Sequence, residues 1–230
     1  MKKKFKKSYL LYNKNKYYNL EKAINIIKEI CNNIYNRCKS SIDLSINFNN
    51  KNNIFNKIAF KKIIKFPYKN NKIYKYLVLT NNKKDIKIIK NMGIKYVGGE
   101  EYINKIKNKW IDFNIIITIP LFMEKIVKLG NILGPKNLIP NNFLGNITNN
   151  PIDTIKELEE GKVLIKMDKY KIINCSIAKS DFSINKIKTN IIYLLNNILS
   201  TKPINNNKDY IKSIFISSTF SPSVKIKKIW

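Results

Sequence analysis

Short apolar runs alternate with helix-like segments in residues 74–119, YKYLVLTNNKKDIKIIKNMGIKYVGGEEYINKIKNKWIDFNIIITI. The runs YKYLVLT, KYVGG and FNIIITI are brief and rich in β-branched and aromatic residues, which is typical of buried strands. KKDIKIIKNMG and EEYINKIKNKW, which lie between them, carry apolar residues at helical spacing, and Gly93 follows the first where a helix end favours a left-handed residue. A strand-helix-strand-helix-strand order predicts a parallel, doubly wound sheet.

The sequence before this region predicts one helix and one half-buried strand. NLEKAINIIKEI has apolar residues on one helical face behind Asn19, a suitable N-cap. SIDLSINF, which begins at Ser41, alternates apolar and polar residues and therefore predicts a strand with one buried and one polar face.

The sequence after residue 158 again mixes strands and helices. KVLIKMD and KIINCSIAKSDF predict a β-hairpin that turns around Lys169 and Tyr170, a long helix capped by Ser183 follows, and YIKSIFISST is the last predicted strand. We therefore expect one α+β domain built from both termini, with an α/β domain inserted in it. The expected domains are residues 1–67 with 159–230, and residues 68–158.

The charge of the chain indicates a polyanionic partner. Its 44 basic residues outnumber its 15 acidic residues, which gives a formal net charge of +29. Lysine contacts to phosphates release condensed counterions, so such a protein is expected to bind nucleic acid. A coding bias towards Lys, Asn and Ile, as in an AT-rich genome, explains part of the lysine count but not the scarcity of acids.

Several other protein classes fit the sequence poorly. It contains no histidine and three widely spaced cysteines, so it lacks the usual general base, the commonest zinc ligand and a disulfide framework. The longest apolar run, FNIIITIPLFM from Phe113, falls short of the roughly 20 residues that a membrane span needs. We expect a soluble, cytoplasmic protein without a membrane partner or cofactor.

The candidate catalytic motifs are weak. VGGEE at 97–101 lacks the spacing of a dinucleotide-binding fingerprint, and it is explained by a tight turn with two acids at a helix start. Asp112 has no evident partner in the sequence. An enzyme acting on a nucleotide remains an alternative hypothesis that these residues do not favour.

Hydroxyl groups concentrate near the end of the last predicted strand. SSTFSPSVK, which begins at Ser217, places short hydroxyls where they could bind phosphate, a 2′-hydroxyl or base edges, although a polar edge strand would have the same composition. Other polar candidates in the same expected domain are Ser41 and Asp43 on the early strand, and Lys166, Asp168 and Lys169 beside the predicted hairpin turn.

A collinear series of motifs resembles the L-one family of large-subunit ribosomal proteins. LGNILGPKNLIPN followed by LGNIT is similar to the family's Gly-Pro-Arg/Lys-Gly-Leu-Met-Pro-Asn signature. The resemblance continues, in order along the chain, through YNLEKAINIIKEI, SSIDLSINF, YVGGEEYINKI, DFNIIITIP, KELEEGKVLIKMDK, SIAKSDF, LSTKP and YIKSIFISSTFSPSV.

The resemblance implies a fold and a function. Members have an RNA-binding domain built from both termini and an inserted, Rossmann-like, three-layer α/β domain. They bind large-subunit ribosomal RNA at the mobile stalk near the tRNA exit site, help deacylated tRNA to leave, and in many bacteria repress translation of their own operon mRNA. The resemblance therefore implies a ribosomal, non-enzymatic protein with these RNAs as partners.

The resemblance also implies particular RNA-binding residues. The family's Thr-Met-Gly segment falls on Thr219, Phe220 and Ser221, so that its Met and Gly are replaced here. The family's conserved Phe falls on either Cys38 or Tyr35. The other implied positions are Ser41 and Asp43, then Lys166, Asp168 and Lys169, where lysine replaces the usual arginine, and finally Ala178 and Lys179.

One further interpretation remains open at this stage. A general basic coat for nucleic acids would account for the charge but not for the motifs. The replaced residues bear on RNA affinity and on autoregulation more than on placement in the ribosome.

Overall fold

The computed structural model describes residues 7–34, 40–49, 60–69, 74–142, 145–200 and 210–227. The chain divides into two compact units, one formed by residues 1–70 and 164–230 and one formed by residues 71–163. The expected domain limits at 67 and 158 differ from this division by three and five residues. We call the first the terminal unit and the second the inserted unit.

Both units combine helices and strands. Their bounds in chain order are α1 (Leu20–Glu29), β1 (Ser41–Phe48), β2 (Lys61–Lys65), β3 (Tyr76–Leu79), α2 (Lys83–Asn91), β4 (Tyr96–Gly98), α3 (Glu100–Lys107), β5 (Ile115–Thr118), α4 (Pro120–Val127), α5 (Gly130–Leu133), α6 (Pro151–Glu159), β6 (Lys162–Lys166), β7 (Ile172–Lys179), α7 (Ile184–Leu199), β8 (Ile211–Ser218) and β9 (Val224–Ile226).

The terminal unit is built on an antiparallel sheet with the strand order β7-β1-β8-β9. Burial alternates along β1, and the four apolar side chains predicted to share one face are all buried. Helices α1 and α7 pack against each other, α1 also contacts β8 and β9, and α7 contacts β7. Because the helices cover the apolar face, the polar residues of the strands lie on the opposite face of the sheet.

The two helices of this unit start where the sequence predicts. Ser183 caps α7, since its hydroxyl oxygen accepts a hydrogen bond from the backbone N–H of Lys186 at 3.4 Å. Asn19 precedes α1 but makes no side-chain capping bond, and α1 continues into a π-helical turn at Ile30–Ile34. Asn19 therefore occupies the predicted N-cap position of α1 without a capping bond from its side chain.

The predicted hairpin between β6 and β7 is only partly correct. The chain turns at Asp168–Lys171, where Asp168 accepts a 3.1 Å hydrogen bond from the Lys171 backbone N–H. The two strands then separate, because β6 forms a two-stranded sheet with β2 and β7 pairs with β1. One isolated bridge, between Met167 and Ile173, remains of the expected ladder.

A buried asparagine connects α7 to the chain that precedes the inserted unit. Asn190 is fully buried, and its side-chain N–H groups donate to the carbonyls of Tyr68 and Ile177, both at 2.8 Å. Its carbonyl oxygen accepts from the Tyr68 N–H at 3.1 Å. These three bonds fix the backbone at Tyr68 against the helix and the sheet.

The inserted unit confirms the predicted doubly wound parallel sheet, whose strand order is β4-β3-β5. Successive residues of β3 point into different cores: Leu77 and Leu79 belong to one, and Tyr76 and Val78 to the other. Two cores on opposite faces of one sheet make a three-layer arrangement. Gly93 ends α2 with φ +85°, as its position predicts.

Candidate nucleic-acid interface

A polar surface covers the side of the terminal sheet that the helices leave open. Along β1 it is formed by Asp43, Ser45 and Asn47, which lie opposite Ser217, Phe215 and Ser213 of β8. All six side chains are partly exposed. We call this surface the open face of the sheet.

One end of the open face is held together by Ser41 and Thr219. The Thr219 N–H donates to the Ser41 carbonyl at 3.1 Å, and the Ser41 N–H donates to the Thr219 hydroxyl oxygen at 3.2 Å. The Thr219 side chain is exposed and Ser41 is half-buried, so both hydroxyls stay close to solvent. The predicted residues of β1 and of the hydroxyl-rich segment therefore meet at this end.

A lysine lies beside the same two residues. Lys179 is paired with Ser41 across β1 and β7, and its ammonium donates to the Ser41 hydroxyl at 3.3 Å. Ala178, the other residue of the implied Gly-Lys pair, is fully buried. The ammonium thus supplies positive charge next to the Ser41 hydroxyl, at the same end of the sheet as Thr219.

The segment after Thr219 contains one exposed and one buried candidate. Phe220 is 41% exposed, whereas Ser221 is 8% exposed. The Ser221 hydroxyl accepts from the Ser218 N–H at 2.8 Å and donates to the Pro222 carbonyl at 3.1 Å. Ser221 therefore stabilises the turn that presents Thr219 and Phe220, and its hydroxyl faces inward.

The Lys166, Asp168 and Lys169 group lies elsewhere. Asn47 pairs with Ile172, just after this group, whereas Ser41 pairs with Lys179, so the two predicted clusters lie at opposite ends of β1. Six residues of strand separate them by roughly 20 Å. The sequence did not predict this separation.

Asp168 stabilises the turn at this end of the sheet. Its carboxylate accepts from the N–H groups of Tyr170 and Ile172, both at 2.9 Å, which closes the turn. Lys166 and Lys169 are exposed, and the Lys169 ammonium lies 5.1 Å from the centre of the Tyr170 ring. The turn thus offers two lysines to a ligand, while the aspartate holds the backbone.

The open face between the two clusters contains residues that sequence reasoning missed. The Ser45 hydroxyl donates to the Asn174 side-chain carbonyl at 2.6 Å, and Phe215 lies between Ser45 on one side and Lys225 of β9 on the other. Among the described strands of this sheet, Asp43 is the one acidic residue. The alternation in IKSIFISS was the available signal for Phe215, because it places that aromatic on the polar face.

The other sequence-based expectations concern absences and the unplaced phenylalanine. No group of three His, Cys, Asp or Glu side chains able to hold a metal occurs among the described residues. The described part of the chain also has no helix long and apolar enough to cross a membrane. Cys38 and Tyr35, the two candidates for the family's conserved Phe, lie outside the described residues.

Comparison with known proteins identifies the family. The model of the Ribosomal protein L1p/L10e family matches residues 2–222. The chain belongs to this family. The match confirms the resemblance, and as a member of the L1p/L10e family the chain is a structural constituent of the large ribosomal subunit and not an enzyme.

Curated relatives from several bacteria match nearly the whole length of this chain. The large ribosomal subunit protein uL1 of Porphyromonas gingivalis is 35% identical over 229 residues, which cover 98% of this chain and 97% of the relative. The protein of that name from Borreliella burgdorferi is 33% identical over 228 residues, or 99% and 97% of the two chains. The one from Phocaeicola vulgatus is 34% identical over 211 residues, or 92% and 89%.

Proposed function

We propose that the chain binds large-subunit ribosomal RNA through the open face, and chiefly through the end formed by Ser41, Thr219 and Lys179. The observation that carries this proposal is the hydrogen-bonded pair of Ser41 and Thr219 with the Lys179 ammonium beside it. Short hydroxyls held on two adjacent strands can reach 2′-hydroxyl and phosphate groups without steric bulk. The lysine adds the charge that RNA binding requires.

Within the subunit, we propose the stalk position that the family resemblance implies. There the protein would lie near the tRNA exit site and assist the release of deacylated tRNA. Family membership and near-complete coverage of the relatives support this placement. Repression of its own operon mRNA would use the same RNA-binding surface on a similar RNA structure.

The test is a comparison of two RNAs across salt concentration. The full-length protein is titrated with the stalk fragment of large-subunit RNA and with an unrelated hairpin of equal length. We expect an excess affinity for the stalk RNA that persists when salt screens the general charge. Equal affinity for both RNAs at every salt concentration would contradict the proposal and favour a general nucleic-acid coat.

Autoregulation has a separate test. A reporter preceded by the leader of the protein's own operon is translated with and without added protein, and a leader with a scrambled stem serves as the control. Repression limited to the native leader supports this part of the proposal. Equal translation in all reactions would contradict autoregulation, and the proposal of ribosomal RNA binding would still stand.

A further inference from the structure

Three aromatic side chains form a continuous, half-buried patch on the inserted unit. The rings of Tyr96 and Trp110 have their centres 5.0 Å apart at an interplanar angle of 84°, and those of Tyr102 and Trp110 lie 5.9 Å apart. All three rings pack with one side against the core that contains Leu77 and Leu79, and each remains partly exposed. We call these three residues the aromatic patch.

The aromatic patch borders an open cleft with basic walls. The cleft has a volume of about 490 Å³, and its lining consists of Lys95, Tyr96, Tyr102, Lys105, Asn108 and Trp110. The Lys105 ammonium lies 4.7 Å from the centre of the Tyr102 ring, and the Lys95 ammonium lies 5.5 Å from that of Tyr96. Aromatic surface and mobile positive charge thus occur together in one concave site.

Two acidic groups lie near the cleft: Asp112, and Glu101, whose charge adds to the effect of burial in raising the pKa of Tyr102. The Asp112 carboxylate accepts hydrogen bonds from the Lys75 ammonium and from the Tyr96 hydroxyl, the latter at 2.5 Å. These partners hold the pKa of Asp112 below its usual value and keep the carboxylate paired. Lys95 lies near enough to Asp112 to contribute to its lowered pKa, but neither Lys95 nor Lys105 forms an ion pair with Asp112, Glu101 or another carboxylate among the described residues, so both ammonium groups can still contact a phosphate.

The strand beside the cleft also has an open edge. Within the part of the chain that the structure describes, β4 pairs with β3 alone and ends the three-stranded sheet. The cleft therefore lies at the edge of the sheet, beside a strand that has a paired neighbour on one side only. An extended ligand can pass along it without displacing a neighbouring strand.

We propose that the aromatic patch is a second nucleic-acid contact that binds a single-stranded segment, with an unpaired base against Trp110 and Tyr102 and the flanking phosphates at Lys95 and Lys105. Stacking on aromatic rings combined with lysines along a backbone path is how proteins hold unpaired strands without sequence preference. A duplex hides its base faces, so it cannot make this contact. The site lies in the other unit from the open face and does not depend on that proposal.

The fluorescence of Trp110 reports on this site alone. The chain has two tryptophans, Trp110 and Trp230, so a full-length Trp230→Phe variant leaves Trp110 as the single tryptophan, which is excited at a wavelength that the tyrosines do not absorb. It is titrated with a single-stranded oligouridylate, with an RNA duplex of the same length, with inorganic polyphosphate and with polyglutamate.

The proposal expects the single strand to quench Trp110 with saturation, and the other three ligands to leave its emission nearly unchanged. Equal quenching by polyphosphate would show that charge alone is recognised and would overturn the stacking contact. Quenching by polyglutamate as strong as that by oligouridylate would assign the cleft to an acidic protein instead. No change with the single strand would also overturn the proposal, whatever happens at the open face.

Matched lysine variants complete the test. In the Trp230→Phe background, Lys95→Gln with Lys105→Gln is compared with Lys84→Gln with Lys87→Gln, which removes equal charge from the exposed side of α2 in the same unit. The Lys95/Lys105 pair of changes should weaken the oligouridylate affinity measured by quenching by roughly fivefold or more. The Lys84/Lys87 pair should change that affinity little. Equal losses in the two variants, with unchanged circular dichroism, would contradict a localised site.

Discussion

The Thr219 hydroxyl oxygen lies 3.2 Å from the Ser41 backbone nitrogen, although the two residues are 178 positions apart in the sequence. Thr219 also donates its own N–H to the Ser41 carbonyl, so the beginning of β1 and the end of β8 are joined by both backbone and side chain. Any contact that RNA makes with either hydroxyl therefore acts on a preorganised pair.

Changing Thr219 to Val should weaken binding of the stalk RNA. Valine keeps the branched shape but removes the oxygen that accepts from the Ser41 N–H and that we propose contacts the RNA. We expect a loss of about 1 to 3 kcal/mol in binding free energy, with the unrelated hairpin almost unaffected. Titration of both RNAs at fixed salt measures the difference.

Thr219→Ser is the matched control, because it retains the hydroxyl. Its affinity for the stalk RNA should stay near that of the unchanged protein. If Thr219→Ser loses as much affinity as Thr219→Val, retaining the hydroxyl does not retain binding, and the proposed hydroxyl contact is contradicted.

Removing the Lys179 charge should lower the salt dependence of RNA binding. Lys179→Gln eliminates one phosphate contact next to Ser41, so the slope of log affinity against log salt should fall by about 1. Lys22→Gln, on an exposed position of α1, is the control and should leave the slope nearly unchanged. Identical slopes for the two variants would place Lys179 outside the RNA contact.

Replacing Asp168 should reduce the stability of the folded protein more than its affinity for RNA. Asp168→Ala removes the acceptor for the Tyr170 and Ile172 N–H groups and should cost about 1 to 3 kcal/mol in the free energy of unfolding. Asp168→Asn keeps an oxygen acceptor and should cost much less. Denaturant unfolding tests this, and a large RNA effect of Asp168→Asn at unchanged stability would instead indicate a direct contact.

The buried amide of Asn190 should be one of the most sensitive positions in the terminal unit. Asn190→Leu leaves the N–H and C=O of Tyr68, which are partly buried, and the buried Ile177 carbonyl without their partner, and the unsatisfied Ile177 carbonyl alone costs about 1 to 3 kcal/mol. Asn196→Leu, an exposed change in the same helix, is the control. Similar unfolding free energies for both variants would contradict the role given to Asn190.

Alkaline pH should destabilise the terminal unit through Tyr210. Burial raises the pKa of Tyr210 from 10.0 to about 12, and its ring packs edge-on against Phe48 with centres 5.2 Å apart. Because the folded state favours the neutral phenol, its contribution is complete below pH 10 and is lost as pH rises towards 12. Tyr210→Phe should therefore show a smaller decrease in thermal midpoint over this interval than the unchanged protein.

The sequence predicted the helices and strands that have a local periodicity. It did not predict which strands pair when they lie far apart in the chain. The period-two pattern of SIDLSINF identified both faces of β1, and the helical spacing of α1 and α7 was equally clear. The partner of β6 was predicted wrongly, because the choice between β2 and β7 depends on how the rest of the sheet is filled. No local signal in the chain encodes that choice.

The candidate site shows the same division. Alternation and hydroxyl content pointed to Ser41, Asp43 and Thr219, yet only the strand register shows that Lys166 and Asp168 lie at the far end of β1. Asp112 seemed to have no partner because Lys75, which binds it, is 37 positions away in the sequence. Contacts of this range follow from the fold and not from any pattern of neighbours.

The discontinuous terminal sheet imposes an order on events during protein synthesis. Strand β1 leaves the ribosome first, but both of its partners, β7 and β8, come after the whole inserted unit. At translation rates of roughly 5 to 20 residues per second, β1 waits on the order of ten seconds for β8. The inserted unit can fold within that delay, whereas the end formed by Ser41 and Thr219, through which we propose RNA binding, exists only in chains translated through Thr219. Incomplete nascent chains therefore lack the proposed RNA contact that the finished protein has.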